Sequence, residues 1–169
     1  MAPWANRIDR GKWNLDGIDL QLEITDAELD NAIHGLVSQV IFEIDEQSES
    51  HLKLGYRLAA SAGYPFELTI SISYQLTETG ITVTQSAVNQ SAARAPFVIG
   101  AHPLFQISGT PTQELEIKSA ARSVNLVNER KIPIKKIATA GTQYDISEWR
   151  KLSTCDFDHG FGDLVFDDS

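Results

Sequence analysis

The sequence predicts an all-β protein, an antiparallel sandwich, and three observations carry that reading. Phe66, Leu68, Ile70, Ile72, Tyr74 and Leu76 alternate strictly with Glu67, Thr69, Ser71, Ser73 and Gln75, the period of a strand with one buried face. Shorter runs of the same period recur along the chain, separated by turn signals. No run keeps the helical period long enough to supply crossover helices, so the strands must connect antiparallel.

Taken in order, Gly11 to Leu15 leads into Asp16-Gly17, a favoured two-residue hairpin turn. Ile18, Leu20, Leu22 and Ile24 then alternate with Asp19, Gln21 and Glu23 as a half-buried strand. Thr25 and Glu28 have capping-box spacing, and Leu29 and Ile33 lie four apart. One or two helical turns are therefore expected over 25–33, ended by Gly35. Strand patterns return at Val40, Phe42 and Ile44, and again at Leu52, Leu54, Tyr56 and Leu58. Glu78-Thr79-Gly80 turns the long strand back into Ile81-Thr82-Val83-Thr84, so 66–89 reads as an antiparallel hairpin. Later strands are short: Leu115 and Ile117, Val124 and Leu126, Ile132 and Ile134, and Leu164 and Phe166. Pro133 suits an edge strand or a bulge, and Ser147 to Leu152 suggests a short helical turn.

A chain of 169 residues fits one domain that buries roughly two-thirds of its unfolded surface. No repeat, low-complexity tract or linker divides it, so a single domain over 1–169 is expected. Fourteen basic residues stand against 23 acidic ones, a net charge of −9, which repels phosphate backbones and anionic membranes. Neither nucleic acid nor membrane is expected as a partner. The N-terminus carries no apolar core of signal-peptide length, and no run approaches a membrane span. Cys155 is the lone cysteine, which excludes an internal disulfide and a Cys-based zinc site. A cytoplasmic protein is the expectation.

The candidate chemistry centres on histidine. His102 stands in the apolar run Pro96 to Gly109, between Gly100 and Pro103. The glycine frees the backbone, and the proline biases His102 toward an extended conformation, so the imidazole is expected at a strand end. His34 lies in Ile33-His34-Gly35, and His159 comes directly after Asp158; His51 opens a strand and reads as a surface residue. No two histidines have zinc-motif spacing, so no metal is expected; no cofactor is expected either. No serine occupies a Gly-x-Ser-x-Gly turn, Cys155 has no basic neighbour, and no glycine loop suits a phosphate.

Five segments in order then resemble the aldose 1-epimerase (galactose mutarotase) family. They are Pro3-Trp4-Ala5-Asn6-Arg7-Ile8 with Gly11, Ile33-His34-Gly35, Tyr64-Pro65-Phe66, Gly100-Ala101-His102-Pro103-Leu104-Phe105, and Phe157-Asp158-His159-Gly160-Phe161. The resemblance implies a galactose mutarotase-like β-sandwich, incomplete here, that holds a free aldohexose in a cleft. It makes His102 the general acid and gives His34 the charge developing near the sugar ring. Asn6, Arg7 and Asp158 become hydroxyl-binding groups. Interconverting anomers requires a proton taken from the C1 hydroxyl and one delivered to the ring oxygen, work suited to a carboxylate and an imidazolium.

The family's carboxylate base is a glutamate well downstream of its Asp-His motif, and it is not among residues 1–169. The family also has strands before its Asn-Arg motif, and Leu104 stands where an aromatic is common. A domain shortened at both ends is therefore expected, with activity weak unless another group supplies the base. Two other readings stay open. One is a non-catalytic carbohydrate-binding or structural remnant of the fold. The other is a hexose-phosphate epimerase relative, for which only Arg7, Arg10 and Arg94 are on hand to meet a phosphate. Exposed sheet edges also lead us to expect a homodimer.

Overall fold

A computed structural model describes residues 1–166. The chain divides into two compact units, Met1–His102 and Pro103–Ser169. Every strand ladder in both is antiparallel, and the described residues contain no α-helix. The all-β expectation holds.

The first unit carries eight strands: β1 (Arg7–Asp9), β2 (Lys12–Leu15), β3 (Ile18–Gln21), β4 (Asn31–Ile33), β5 (Glu43–Gln47), β6 (His51–Leu58), β7 (Leu68–Thr77) and β8 (Gly80–Asn89). β5 to β8 form one four-stranded sheet in chain order, while β2 pairs β3 and β1 pairs β4. The alternation read from the sequence becomes the long hairpin, with Tyr74 opposite Val83 and Thr77 opposite Gly80. Asp16 and Gly17 both take positive φ, 49° and 91°, the geometry of the tight turn whose twist matches its flanking strands. Leu68 and Ile70, the buried end of β7, pack with Phe66, Leu58, Leu22, Ala32, Tyr64 and Trp4 into this unit's core.

The expected helical turn over 25–33 is not formed. Residues 27–30 make a turn closed by a bridge from Asp26 to Asn31, and Asn31–Ile33 continues as β4 along β1. A two-strand ladder between distant segments satisfies these backbone groups, and it outweighs a local propensity worth only tenths of a kcal/mol per residue. Gly35 ends no helix. With φ of +79° it lies so close to Met1–Pro3 that a Cβ would stand 2.0 Å from the Ala2 carbonyl oxygen. The N-terminal segment is clasped from both sides: Leu36 N–H donates to Ala2 O, while Val98 and Gly100 N–H groups donate to Pro3 O and Met1 O.

The second unit holds β9 (Glu116–Ile117), β10 (Ala121–Val127), β11 (Pro133–Ala138), β12 (Arg150–Lys151) and β13 (Gly160–Leu164). β10 lies between β11 and β13, and β9 pairs β12. Pro133 begins the edge strand β11, and a register shift falls opposite it at Leu126/Val127, as its missing N–H requires. The turn expected over 147–152 forms later, as a 3-10 turn at Leu152–Thr154 after β12. Arg150 holds this region by donating to the carbonyls of Gln143, Asp145 and Thr154.

Candidate functional site

In the first unit the polar groups gather at one end of the β1–β4 ladder. Arg7 pairs with Ile33 as its last register, so Asn6 and His34 sit side by side just beyond it. Both take left-handed backbone angles, φ 60° and 62°, uncommon for residues other than glycine. They lock each other in place: His34 N–H donates to Asn6 O at 2.9 Å, and Asn6 N–H donates to His34 Nδ1 at 3.3 Å. Because Nδ1 accepts, the neutral ring carries its proton on Nε2, where it is available as a donor.

His102 completes the pair. Its ring centroid lies 5.8 Å from that of His34, edge to face at 75°. An irregular extended segment carries it, not the end of a hydrogen-bonded strand; the bonds from Val98 and Gly100 to the N-terminal segment anchor that stretch. Burial holds His34 below the ordinary imidazole value of 6.5, as do the positive charges of His102, Arg7 and the Met1 amine; Asp26 acts in the opposite direction. His34 is thus neutral at pH 7, a hydrogen-bond donor rather than a proton source.

Arg7 bridges the site. Its Nε donates to Asp26 Oδ2 at 2.7 Å, with both side chains 16% exposed, and its Nη1 donates to Asn6 Oδ1 at 3.3 Å. Asn6 Oδ1 being occupied, the amide N–H pair of Asn6 is left as donors. Residue alternation turns Ile8 to the other face of β1. There it lines an apolar cavity of about 160 Å³ with Trp4, Trp13, Tyr64 and Phe97, which offers a sugar no converging polar groups.

Of the residues singled out by sequence, His34, His102, Asn6 and Arg7 are thus neighbours in the first unit. Asp158 belongs to the second unit, where its exposed carboxylate pairs with Lys131 Nζ at 3.2 Å and its N–H donates to His159 Nδ1. His159 Nε2 lies 3.3 Å from the Tyr144 hydroxyl. Asp26 was not foreseen. It falls in the stretch read as a helical turn, and no local pattern marks it, since the bridge to Asn31 is what carries it to Arg7. Among the described residues no cluster of three or more His, Cys, Asp or Glu side chains suits a metal, and no helix is long and apolar enough to cross a membrane.

The antiparallel all-β architecture is that of the galactose mutarotase-like β-sandwich proteins. The aldose 1-epimerase family model matches residues 1–162, and the chain belongs to that family. It is 29% identical over 162 residues to the uncharacterized protein YihR of Escherichia coli K12, covering 95% of this chain and 53% of that one. Among solved structures it resembles a GalM/aldose epimerase homologue from C. elegans (TM-score 0.77, 16% identity, 90% of this chain and 48% of the other). It also resembles the galactose 1-epimerase of Lactobacillus acidophilus NCFM (TM-score 0.69, 20% identity, 90% and 47%). The chain spans about half the length of these relatives.

Proposed function

We propose that the chain forms the sugar-binding, proton-donating part of an aldose 1-epimerase acting on a free aldohexose in the cytoplasm. The observation that carries this reading is the His34–His102 pair beside Arg7 and Asn6, with the rings 5.8 Å apart. In the proposed reaction His102 delivers a proton to the ring oxygen as the C1–O5 bond breaks. Neutral His34 donates from Nε2 to the same region, stabilising charge as it develops without itself needing to be protonated. Asn6 and Arg7 hold hydroxyl oxygens with N–H donors. The C1 hydroxyl proton calls for a carboxylate base; with the family's glutamate not among residues 1–169, water takes it here and the step is slow. The opened aldehyde then turns about C1–C2, and re-closure on the other face reverses the proton transfers. Acid and base each supply roughly 10²–10⁴-fold in such a scheme.

Asp26 does not serve as that base, because its carboxylate is held by Arg7. The same pair favours a neutral sugar over a hexose phosphate: Arg7 is matched by Asp26, and Arg10 lies 3.7 Å from the Asp30 carboxylate. We therefore expect the 169-residue polypeptide to bind galactose or glucose but to turn them over slowly. Saturation-transfer NMR with each sugar tests binding, with Arg7→Ala expected to abolish the signal. Polarimetry on freshly dissolved α-D-galactose and α-D-glucose tests turnover. No contact with either sugar overturns the reading. Rapid mutarotation abolished by His102→Ala shows instead that a base is present within the chain.

A further inference from the structure

We propose that Asp26 is a positioning residue for this site, aiming Arg7 across Asn6 and offsetting its positive charge beside His34. The inference rests on the sugar-site reading above and adds a residue outside its set of sugar contacts. The geometry is a relay. Backbone bonds in both directions between Asp26 and Asn31, 2.9 and 3.1 Å, fix the Asp26 backbone at the mouth of the 27–30 turn, and Asn31 is fully buried. From that anchor the carboxylate takes Arg7 Nε at 2.7 Å. A guanidinium is a rigid plane, so fixing Nε also fixes the direction of both terminal nitrogens. One of them, Nη1, meets Asn6 Oδ1, which orients the Asn6 amide. The Arg7 and Asn6 donors thus take their aim from one carboxylate.

Charge is the second part of the relay. The groups acting on His34 are His102, Arg7, the Met1 amine and Asp26, and Asp26 alone among them is negative. At 16% exposure the Arg7–Asp26 pair is poorly screened by solvent. Removing its negative member leaves Arg7 uncompensated a short distance from an imidazole.

Asp26→Asn keeps the shape and one acceptor oxygen while removing the charge, and Asp26→Glu keeps the charge on a longer arm. Two readouts are taken on the whole chain: the titration of His34 by proton–carbon NMR of the ring, and galactose affinity. In Asp26→Asn the His34 midpoint should move further down and galactose affinity should fall about tenfold or more. Asp26→Glu should return the midpoint toward that of the unsubstituted chain while affinity stays reduced. A merely structural aspartate changes thermal stability in both variants and leaves the His34 midpoint where it was. An unmoved midpoint, or unchanged affinity in a chain that binds galactose, overturns the proposal. If Asp26→Asn does not fold, Asp26→Glu carries the test, and galactose affinity equal to that of the unsubstituted chain overturns it. Absence of galactose binding by the unsubstituted chain overturns the sugar-site reading separately, because the His34 titration needs no sugar.

Discussion

Single residues in this chain are set by backbone geometry as much as by chemistry. Gly35 and Gly17 make the contrast testable, since both have positive φ, but a Cβ on Gly35 meets the Ala2 backbone whereas one on Gly17 meets nothing within 4 Å. Gly35→Ala should therefore cost about 3 kcal/mol or more, through both strain and displacement of the N-terminal segment. Gly17→Ala should cost only about 1 kcal/mol, the backbone part by itself. Urea denaturation of the two variants checks the ranking, and equal losses contradict it. His34 carries a pH signature of its own. Its value in the folded chain lies below the ordinary 6.5, so on acidification the unfolded chain takes up this proton first. The contribution to stability is unchanged above about pH 6.5 and falls as pH drops from there toward the lowered folded value. His34→Gln should flatten that part of a stability–pH curve measured by denaturation. His34, His102, Asn6 and Arg7 were legible in the sequence because each stands inside a short motif whose neighbours are contiguous. Asp26 was not, because its partner lies 19 residues away and its own neighbours look like a helix start.

At the scale of elements, legibility tracked locality. The β7–β8 hairpin was readable because its alternation, its turn and its register all sit in one uninterrupted stretch. β4 was missed because three residues are too short to show a period, and their partner strand is β1, near the start of the chain. The two edges of the four-stranded sheet differ in a way that leads to a prediction. β5 carries Glu43, Asp45 and Glu46 on one edge, whereas β8, on the other, has no charged residue from Gly80 to Asn89. Charge on an edge strand discourages pairing with another chain, and an uncharged, proline-free edge of ten residues invites it. Two copies are expected to join β8 to β8 about a two-fold axis. Sedimentation at micromolar concentration should show twice the 18.7 kDa chain mass, with Thr84→Lys shifting the species to monomer. A monomer for the unsubstituted chain contradicts this.

For the whole molecule, the all-β class could be read from strand period and the lack of helical runs, and ordered motifs pointed to the family. The division into two compact units had no counterpart in composition, because residues 95–111 contain no linker-like tract of glycine, serine or charge. The boundary falls directly after His102. The chain is irregular from Pro103 to Ile107, with Leu104 92% exposed and Phe105 82% exposed. Proteases need just such a chain: extended, accessible and offering large side chains. Brief exposure to chymotrypsin should nick the protein first after Leu104 or Phe105, read by mass spectrometry of the fragments; a first cut inside β7 or β10 contradicts that expectation. The N-terminal fragment would then keep Asn6, Arg7, Asp26, His34 and His102 on one piece of chain and leave Asp158 on the other. A single clip would thus leave the His34 and His102 imidazoles and the Arg7–Asp26 pair together on one fragment.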